Sequence, residues 1–141
     1  MDMTTRTARC GCGRFEITVE GEPLDIPICH CDFCQRRTGS VFSVMSHFRE
    51  EQVTAVNGDT KRYNGVEIGD DKNPVIVEGI NYYFCTTCGS TMYADFVWPF
   101  DGRKRIAIQV GNFVDPEFPT PTVEYYPELR HRWVVSPVEG A

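Results

Sequence analysis

The sequence predicts a mainly β domain built from many short strands. Short stretches of alternating apolar and polar residues recur along the chain, and no amphipathic helical pattern of normal length is present. Glycine and proline, with 12 and 9 residues respectively, separate these stretches. The length of 141 residues suits one domain with its own core. We therefore expect a single domain over residues 1–141.

The first half of the chain is predicted to hold extended segments at residues 7–12, 14–20, 26–29 and 40–48, with a short helix at 32–38. Residues 14–20 alternate regularly, which places Phe15, Ile17 and Val19 on one buried face. Gly39 is expected to end the polar helical segment, because glycine readily adopts the left-handed conformation of a helix cap.

In the second half, predicted strands cover residues 53–56, 61–63, 75–77, 82–84, 91–96 and 105–110. Asn57-Gly58 is a turn signal, and it makes 61–63 the predicted return strand of 53–56. Strands 75–77 and 82–84 would flank a turn, and Ile106, Ile108 and Val110 would face inward. The acidic, loop-like residues 65–74 are the best candidate for a mobile insertion. The proline-rich tail is predicted to wrap the body, with Trp133 as its packing anchor.

Charge and hydropathy argue against nucleic-acid and membrane partners. The formal net charge is −6, and no basic stripe is present to attract phosphate or anionic headgroups. Residues 1–6 contain no apolar run, so no signal peptide is predicted, and no stretch reaches the length of a membrane span. We expect a soluble, cytoplasmic protein, whose clustered thiols stay reduced and bind metal rather than form disulfides.

Seven cysteines fall into three short motifs with the spacing of zinc ligands: Cys10-x-Cys12, Cys29-x-Cys31-x-x-Cys34 and Cys85-x-x-Cys88. Side chains two residues apart on a strand share a face, and a turn can bring a third sulfur to them. The first and last motifs together predict a four-cysteine structural zinc site. The middle motif offers three ligands and an open fourth position, which is typical of a catalytic zinc.

The occupant of that fourth position stays open at the sequence level. His30 lies between two ligands and would point the opposite way on a strand, whereas His47 and His131 are candidate ligands. Asp32 is a nearby alternative whose simpler role is to cap the short helix. A substrate carboxylate or a developing oxyanion could contact Gln35, Arg36 or Arg37, which otherwise would be exposed residues of that helix.

Two further functional classes compete with an enzyme. If both zinc ions are structural, the domain could be a binding module that uses the aromatic residues at 82–84 or 96–100, which otherwise belong to the core. Alternatively, Cys29, Cys31 and Cys34 could form a thiol switch that releases zinc on oxidation. A site that is open to a substrate favours an enzyme, and a closed site favours the module.

The motifs in this order resemble the glutathione-dependent formaldehyde-activating enzyme family, which is related to centromere protein V. The resemblance rests on Cys-x-Cys, then Cys-His-Cys-x-x-Cys followed by Thr38-Gly39-Ser40, then Phe84-Cys-x-x-Cys-Gly-Ser. Residues 57–63, 110–116 and 121–133 extend it over nearly the whole chain.

The resemblance implies a fold, two metal ions and a reaction. It implies a β-tent of short antiparallel sheets, with a structural zinc on Cys10, Cys12, Cys85 and Cys88 and a catalytic zinc on Cys29, Cys31 and Cys34. The implied activity is that of a carbon–sulfur lyase, the reversible addition of glutathione or a similar small thiol to formaldehyde or another aldehyde. The expected cofactor is therefore Zn²⁺, two ions per chain, and the expected partners are a small thiol and an aldehyde.

Overall fold

The computed structural model describes residues 4–67 and 77–138, and these residues form a mainly β fold, as predicted. The only α-helix in that part of the chain is α1 (Asp32–Thr38), which follows the third strand. Short 3₁₀ turns cover Glu50–Gln52, Val110–Phe113 and Pro127–Leu129. The strands are β1 (Thr5–Arg9), β2 (Glu16–Glu20), β3 (Pro27–Cys29), β4 (Ser43–Arg49), β5 (Val53–Asn57), β6 (Thr60–Glu67), β7 (Val77–Cys85), β8 (Thr91–Val97), β9 (Lys104–Gln109) and β10 (Val123–Tyr125).

The strands form two sheets. The smaller has the order β1-β2-β5, and the larger has the order β10-β3-β4-β9-β8-β7-β6. Neighbouring strands are antiparallel except for β10, which runs parallel to β3. The predicted inward face of β2 is confirmed, because Phe15, Ile17 and Val19 are almost completely buried. They pack in one cluster with Phe48 and Ile108, which joins the two sheets.

The predicted return strand after Asn57-Gly58 is wrong in its pairing. Strand β5 pairs with β2, whereas β6 pairs with β7 in the larger sheet. The turn therefore carries the chain from one sheet to the other. Gly58 has a φ of 103°, and a Cβ atom there would lie 2.2 Å from the carbonyl oxygen of Arg14. The glycine is required by this close passage of two backbones rather than by a hairpin.

Strand β7 replaces the predicted pair of strands flanking a turn. It is one strand from Val77 to Cys85, and its register with β6 shifts beside Gly79, which has a φ of 78°. A glycine in this conformation produces a bulge in a continuous strand, so a glycine there need not mark a turn. Residues 75 and 76 of the first predicted strand, and residues 68–74 of the predicted insertion, lie outside the described residues. Residues 65–67 of that insertion belong to β6 rather than to a loop.

The C-terminal tail is fixed differently from the prediction. Trp133 is 70% exposed, so it does not anchor the tail in the core. The tail is held instead by the pairing of β10 with β3 and by Glu124, whose side chain is buried. Both carboxylate oxygens of Glu124 lie 3.1 Å from Nη1 of Arg130, and this ion pair folds the following turn onto the sheet.

Candidate metal centres and the adjoining cavity

Four cysteine sulfurs meet between the turn that follows β1 and the turn that joins β7 to β8. The Sγ atoms of Cys10, Cys12, Cys85 and Cys88 all lie within 4.8 Å of one another. Two of the separations are 3.6 Å (Cys10–Cys12) and 3.8 Å (Cys12–Cys85). Ligands of a tetrahedral zinc with Zn–S bonds of about 2.3 Å are separated by about 3.8 Å. The four-cysteine cluster therefore fits a zinc ion in both donor type and spacing.

Hydrogen bonds hold these sulfurs in place. The backbone N–H of Phe15 donates to Cys10 Sγ at 3.2 Å, and that of Thr87 donates to Cys85 Sγ at 3.4 Å. Ser90 Oγ accepts the N–H of Gly11 and lies 3.1 Å from Cys88 Sγ. The hydrogen bond from Ser90 lowers the pKa of Cys88 to about 5. Such contacts orient thiolate ligands and stabilise their negative charge.

Three further sulfurs meet where β3 ends and α1 begins. The Sγ atoms of Cys29, Cys31 and Cys34 lie within 4.8 Å of one another. Cys29 is the last residue of β3, and Cys31 is the N-cap of α1, where its Sγ accepts the N–H of Cys34 at 3.3 Å. Gly39 ends the helix with a φ of 71° and donates its N–H to the carbonyl of Gln35, as the sequence predicted. The short helix thus turns the third sulfur toward the other two.

The three thiols share negative charge unequally. Hydrogen bonds from Cys29 and Cys34 lower the pKa of Cys31 to about 3. The hydrogen bond to Cys31 raises the pKa of Cys29 to about 12, and hydrogen bonds to both neighbours, with burial, raise the pKa of Cys34. One thiolate is therefore stabilised, and further negative charge in this small volume is opposed. A divalent cation would offset that charge, because metal binding favours deprotonated ligands, so this donor set also fits zinc.

No fourth histidine, cysteine or carboxylate joins the three sulfurs among residues 4–67 and 77–138. His30 is buried and its Nε2 lies 2.8 Å from Glu124 Oε2, which agrees with the prediction that it points away from the ligands. His131 Nε2 lies 3.0 Å from Gln35 Oε1. His47 Nδ1 lies 3.2 Å from Arg105 Nη1. Both candidate fourth ligands are therefore engaged elsewhere.

A cavity of about 410 Å³ opens beside the three-cysteine cluster, with Cys29 and Cys34 in its wall. Strands of the larger sheet, the helix α1 and the loop after β8 all contribute to it. Its polar lining residues are Arg37, Ser43 and His47. The rest of the lining is apolar or aromatic: Pro27, Met45, Ile80, Tyr82, Ala94, Phe96, Val97, Trp98, Pro99, Phe100, Tyr125 and Tyr126.

Of the polar helix residues that the sequence pointed to, only Arg37 reaches this cavity. Its guanidinium group lies over the ring of Tyr82 at 4.6 Å, and its Nη2 donates to Ser43 Oγ at 3.2 Å. Arg36 is exposed, and Gln35 donates to the carbonyl of His30 at 2.8 Å. Of the three residues that the sequence offered as contacts for a substrate carboxylate or oxyanion, Arg37 is therefore the one that a molecule in the cavity could reach.

His47 has a place that the sequence did not indicate. It is 6% exposed and packs edge-on against Phe96 and Trp98 in the cavity wall. Burial, together with the nearby charge of Arg105, lowers the pKa of His47 to about 4, so its ring is neutral at pH 7. Arg105 in turn pairs with Asp25 at 2.8 Å. A local sequence pattern could not show this, because the partners come from three separate segments.

Fold and site together define a class: a mainly β domain with one four-cysteine cluster and one three-cysteine cluster, the second beside a cavity. The chain matches a family model described as glutathione-dependent formaldehyde-activating enzyme over residues 5–128, a span that includes all seven cysteines. The chain belongs to this family. No curated protein matches it. Among the residues that the structure describes, no helix is both long enough and apolar enough to cross a membrane.

Proposed function

We propose that this protein catalyses the reversible addition of a small thiol to an aldehyde, as a carbon–sulfur lyase of the S-(hydroxymethyl)glutathione synthase type. The observation that carries the proposal is the position of the cavity. Cys29 and Cys34 belong to its wall, whereas the four-cysteine cluster contributes nothing to it. A three-ligand metal site beside a cavity can receive a substrate, whereas a four-ligand site is closed. The family description supports glutathione and formaldehyde as the reference pair.

The two cysteine clusters would have different roles, one structural and one catalytic. Cys10, Cys12, Cys85 and Cys88 would hold a structural zinc, with Cys10 and Cys85 buried in the core that joins the two sheets. A structural zinc of this kind contributes on the order of 10 kcal/mol to folding. Cys29, Cys31 and Cys34 would hold a catalytic zinc, in a segment with a short helix and a three-residue strand. Loss of the second ion should therefore affect turnover more than folding.

In the proposed reaction a C–S bond forms, the S–H bond and the π bond of the carbonyl break, and the proton ends on the new hydroxyl oxygen. A zinc ion on the three cysteines would supply the positive charge that lowers the pKa of a substrate thiol. Arg37, in the same wall as the sulfurs, offers N–H donors to the developing oxyanion or to a substrate carboxylate. Most of the lining is apolar, and electrostatic interactions are stronger wherever a bound substrate displaces water from such a site.

A variant at the helix cap tests the proposal. Cys31→Ser removes a soft ligand but keeps a side chain that can cap α1. We expect the variant to fold and to lose nearly all of its ability to accelerate exchange between glutathione and formaldehyde, as measured by exchange NMR. Cys85→Ser serves as the comparison and is expected to unfold the domain. Wild-type protein that retains its zinc but accelerates the reaction of no thiol–aldehyde pair would contradict the enzyme and support the binding module.

A further inference from the structure

The cavity beside Cys29 and Cys34 is much larger than a one-carbon aldehyde. Formaldehyde has two heavy atoms, and it would leave most of the space of about 410 Å³ unfilled. Cavities of this size commonly enclose the body of an organic ligand. The remaining volume can therefore hold a larger group of a substrate.

The lining indicates an apolar body. Tyr82, Phe96 and Trp98 form a wall of aromatic rings. No carboxylate lines the cavity among the residues that the structure describes. Apart from the cysteine ligands, Arg37 is the only charged side chain in the described lining, because the buried ring of His47 is neutral. Arg105, behind the wall, lies 4.1 Å from the ring of Trp98 and is already paired with Asp25.

Glutathione matches this lining poorly. The tripeptide carries two carboxylates and an ammonium group, and transfer of unpaired charges into an apolar site is unfavourable. Arg37 could pair with one carboxylate, but its guanidinium group is also committed to Ser43 and to the ring of Tyr82. The charged parts of such a thiol would therefore stay outside the apolar region, which leaves that region for the other reactant.

We propose that the apolar region of the cavity holds the side chain of the aldehyde, so that the substrate is an aromatic or branched aliphatic aldehyde rather than formaldehyde. This assignment rests on the proposed function. The side chain would pack among Tyr82, Phe96 and Trp98, with the carbonyl carbon toward Cys29 and Cys34. The reaction is R–CHO + R′–SH → R–CH(OH)–SR′, in which no atom is oxidised or reduced overall and no other reactant is needed.

Binding without turnover gives the first test. Benzyl alcohol and methanol are unreactive analogues of benzaldehyde and formaldehyde, and both can be titrated into the zinc-loaded protein by calorimetry. We expect saturable binding of benzyl alcohol that is at least about tenfold tighter than any binding of methanol, as for other apolar pockets. Equal, weak binding of the two alcohols would overturn the assignment, whether or not the protein is active.

Substitutions of residues in the cavity wall test whether benzyl alcohol binds in the cavity. Met45→Trp fills the cavity from β4, and Trp98→Ala removes a ring from its wall, so each should weaken benzyl alcohol binding about tenfold or more. Trp133→Ala is the matched control, because Trp133 is 70% exposed and does not line the cavity. Thermal melts identify any variant that fails to fold. Unchanged binding in whichever cavity variants fold would overturn the proposal.

Reaction rates with different aldehydes and thiols then show which of the two reactants the cavity holds. With glutathione as the thiol, the acceleration over the uncatalysed reaction should be at least about tenfold greater for benzaldehyde than for formaldehyde. If benzyl mercaptan with formaldehyde is instead the favoured pair, the cavity holds the thiol and the aldehyde assignment is overturned. Equal acceleration of both aldehydes overturns the assignment but leaves the proposed function intact. Acceleration of no pair overturns the proposed function and the substrate assignment with it.

Discussion

The charge of His47 is set by its burial in the cavity wall. Its pKa is lowered from 6.5 to about 4 by desolvation and by the charge of Arg105, against the opposing charge of Asp25. Between these two pH values His47 is protonated in the unfolded chain but stays neutral in the folded protein. The stabilisation from the neutral ring is therefore complete above pH 6.5 and is lost as the pH falls to about 4, which amounts to about 3 kcal/mol.

Replacement of His47 by glutamine should remove this contribution. Glutamine does not titrate, so the free energy of unfolding of His47→Gln should fall less than that of the wild type between pH 7 and pH 4.5. Urea unfolding at both pH values measures the difference, and acid effects on the cysteine clusters cancel in the comparison. Identical losses for the two proteins would show that His47 is not held neutral by the fold.

At the scale of secondary structure, the elements that local sequence could predict are those whose determinants lie within a few residues. The helix α1 has its N-cap sulfur and its terminal glycine, Gly39, inside one short segment. The buried face of β2 follows from alternation alone. Pairing was less predictable, because β5 and β6 are adjacent in sequence but belong to different sheets. Which sheet each strand joins depends on packing in the core around Phe48, and the residues of the turn carry no information about that packing.

The crossing between the sheets makes Gly58 a specific point of weakness. Ala at this position would place its Cβ atom against the carbonyl oxygen of Arg14, at a φ of 103°. We expect Gly58→Ala to lower the free energy of unfolding by about 3 kcal/mol or more. Gly102→Ala is the control, because Gly102 also has a positive φ but no atom within 4 Å of the added Cβ. It should cost only about 1 kcal/mol, from conformation alone. Equal losses in denaturant titrations would contradict the close passage.

The site was predictable in its ligands but not in its surroundings. The spacing of the cysteines is a local property, and the structure brings them together in the predicted groups of four and three. The cavity is assembled from β3, α1, β4, β7, β8 and β10, so residues such as Met45 and Ile80 carry no local sign of their role. The 96–100 segment was expected either to bind a partner protein or to lie in the core. Instead it forms part of the cavity wall, with Phe100 84% exposed.

For the whole molecule, the central claim is that two zinc ions have different roles, one in folding and one in turnover. Zinc content per chain tests it most directly, by elemental analysis of protein purified without chelator, beside thermal melts of Cys31→Ser and Cys85→Ser. We expect two zinc ions in the wild type, one in a folded Cys31→Ser protein, and loss of the cooperative transition in Cys85→Ser. One zinc in the wild type, or two variants that unfold alike, would contradict the account.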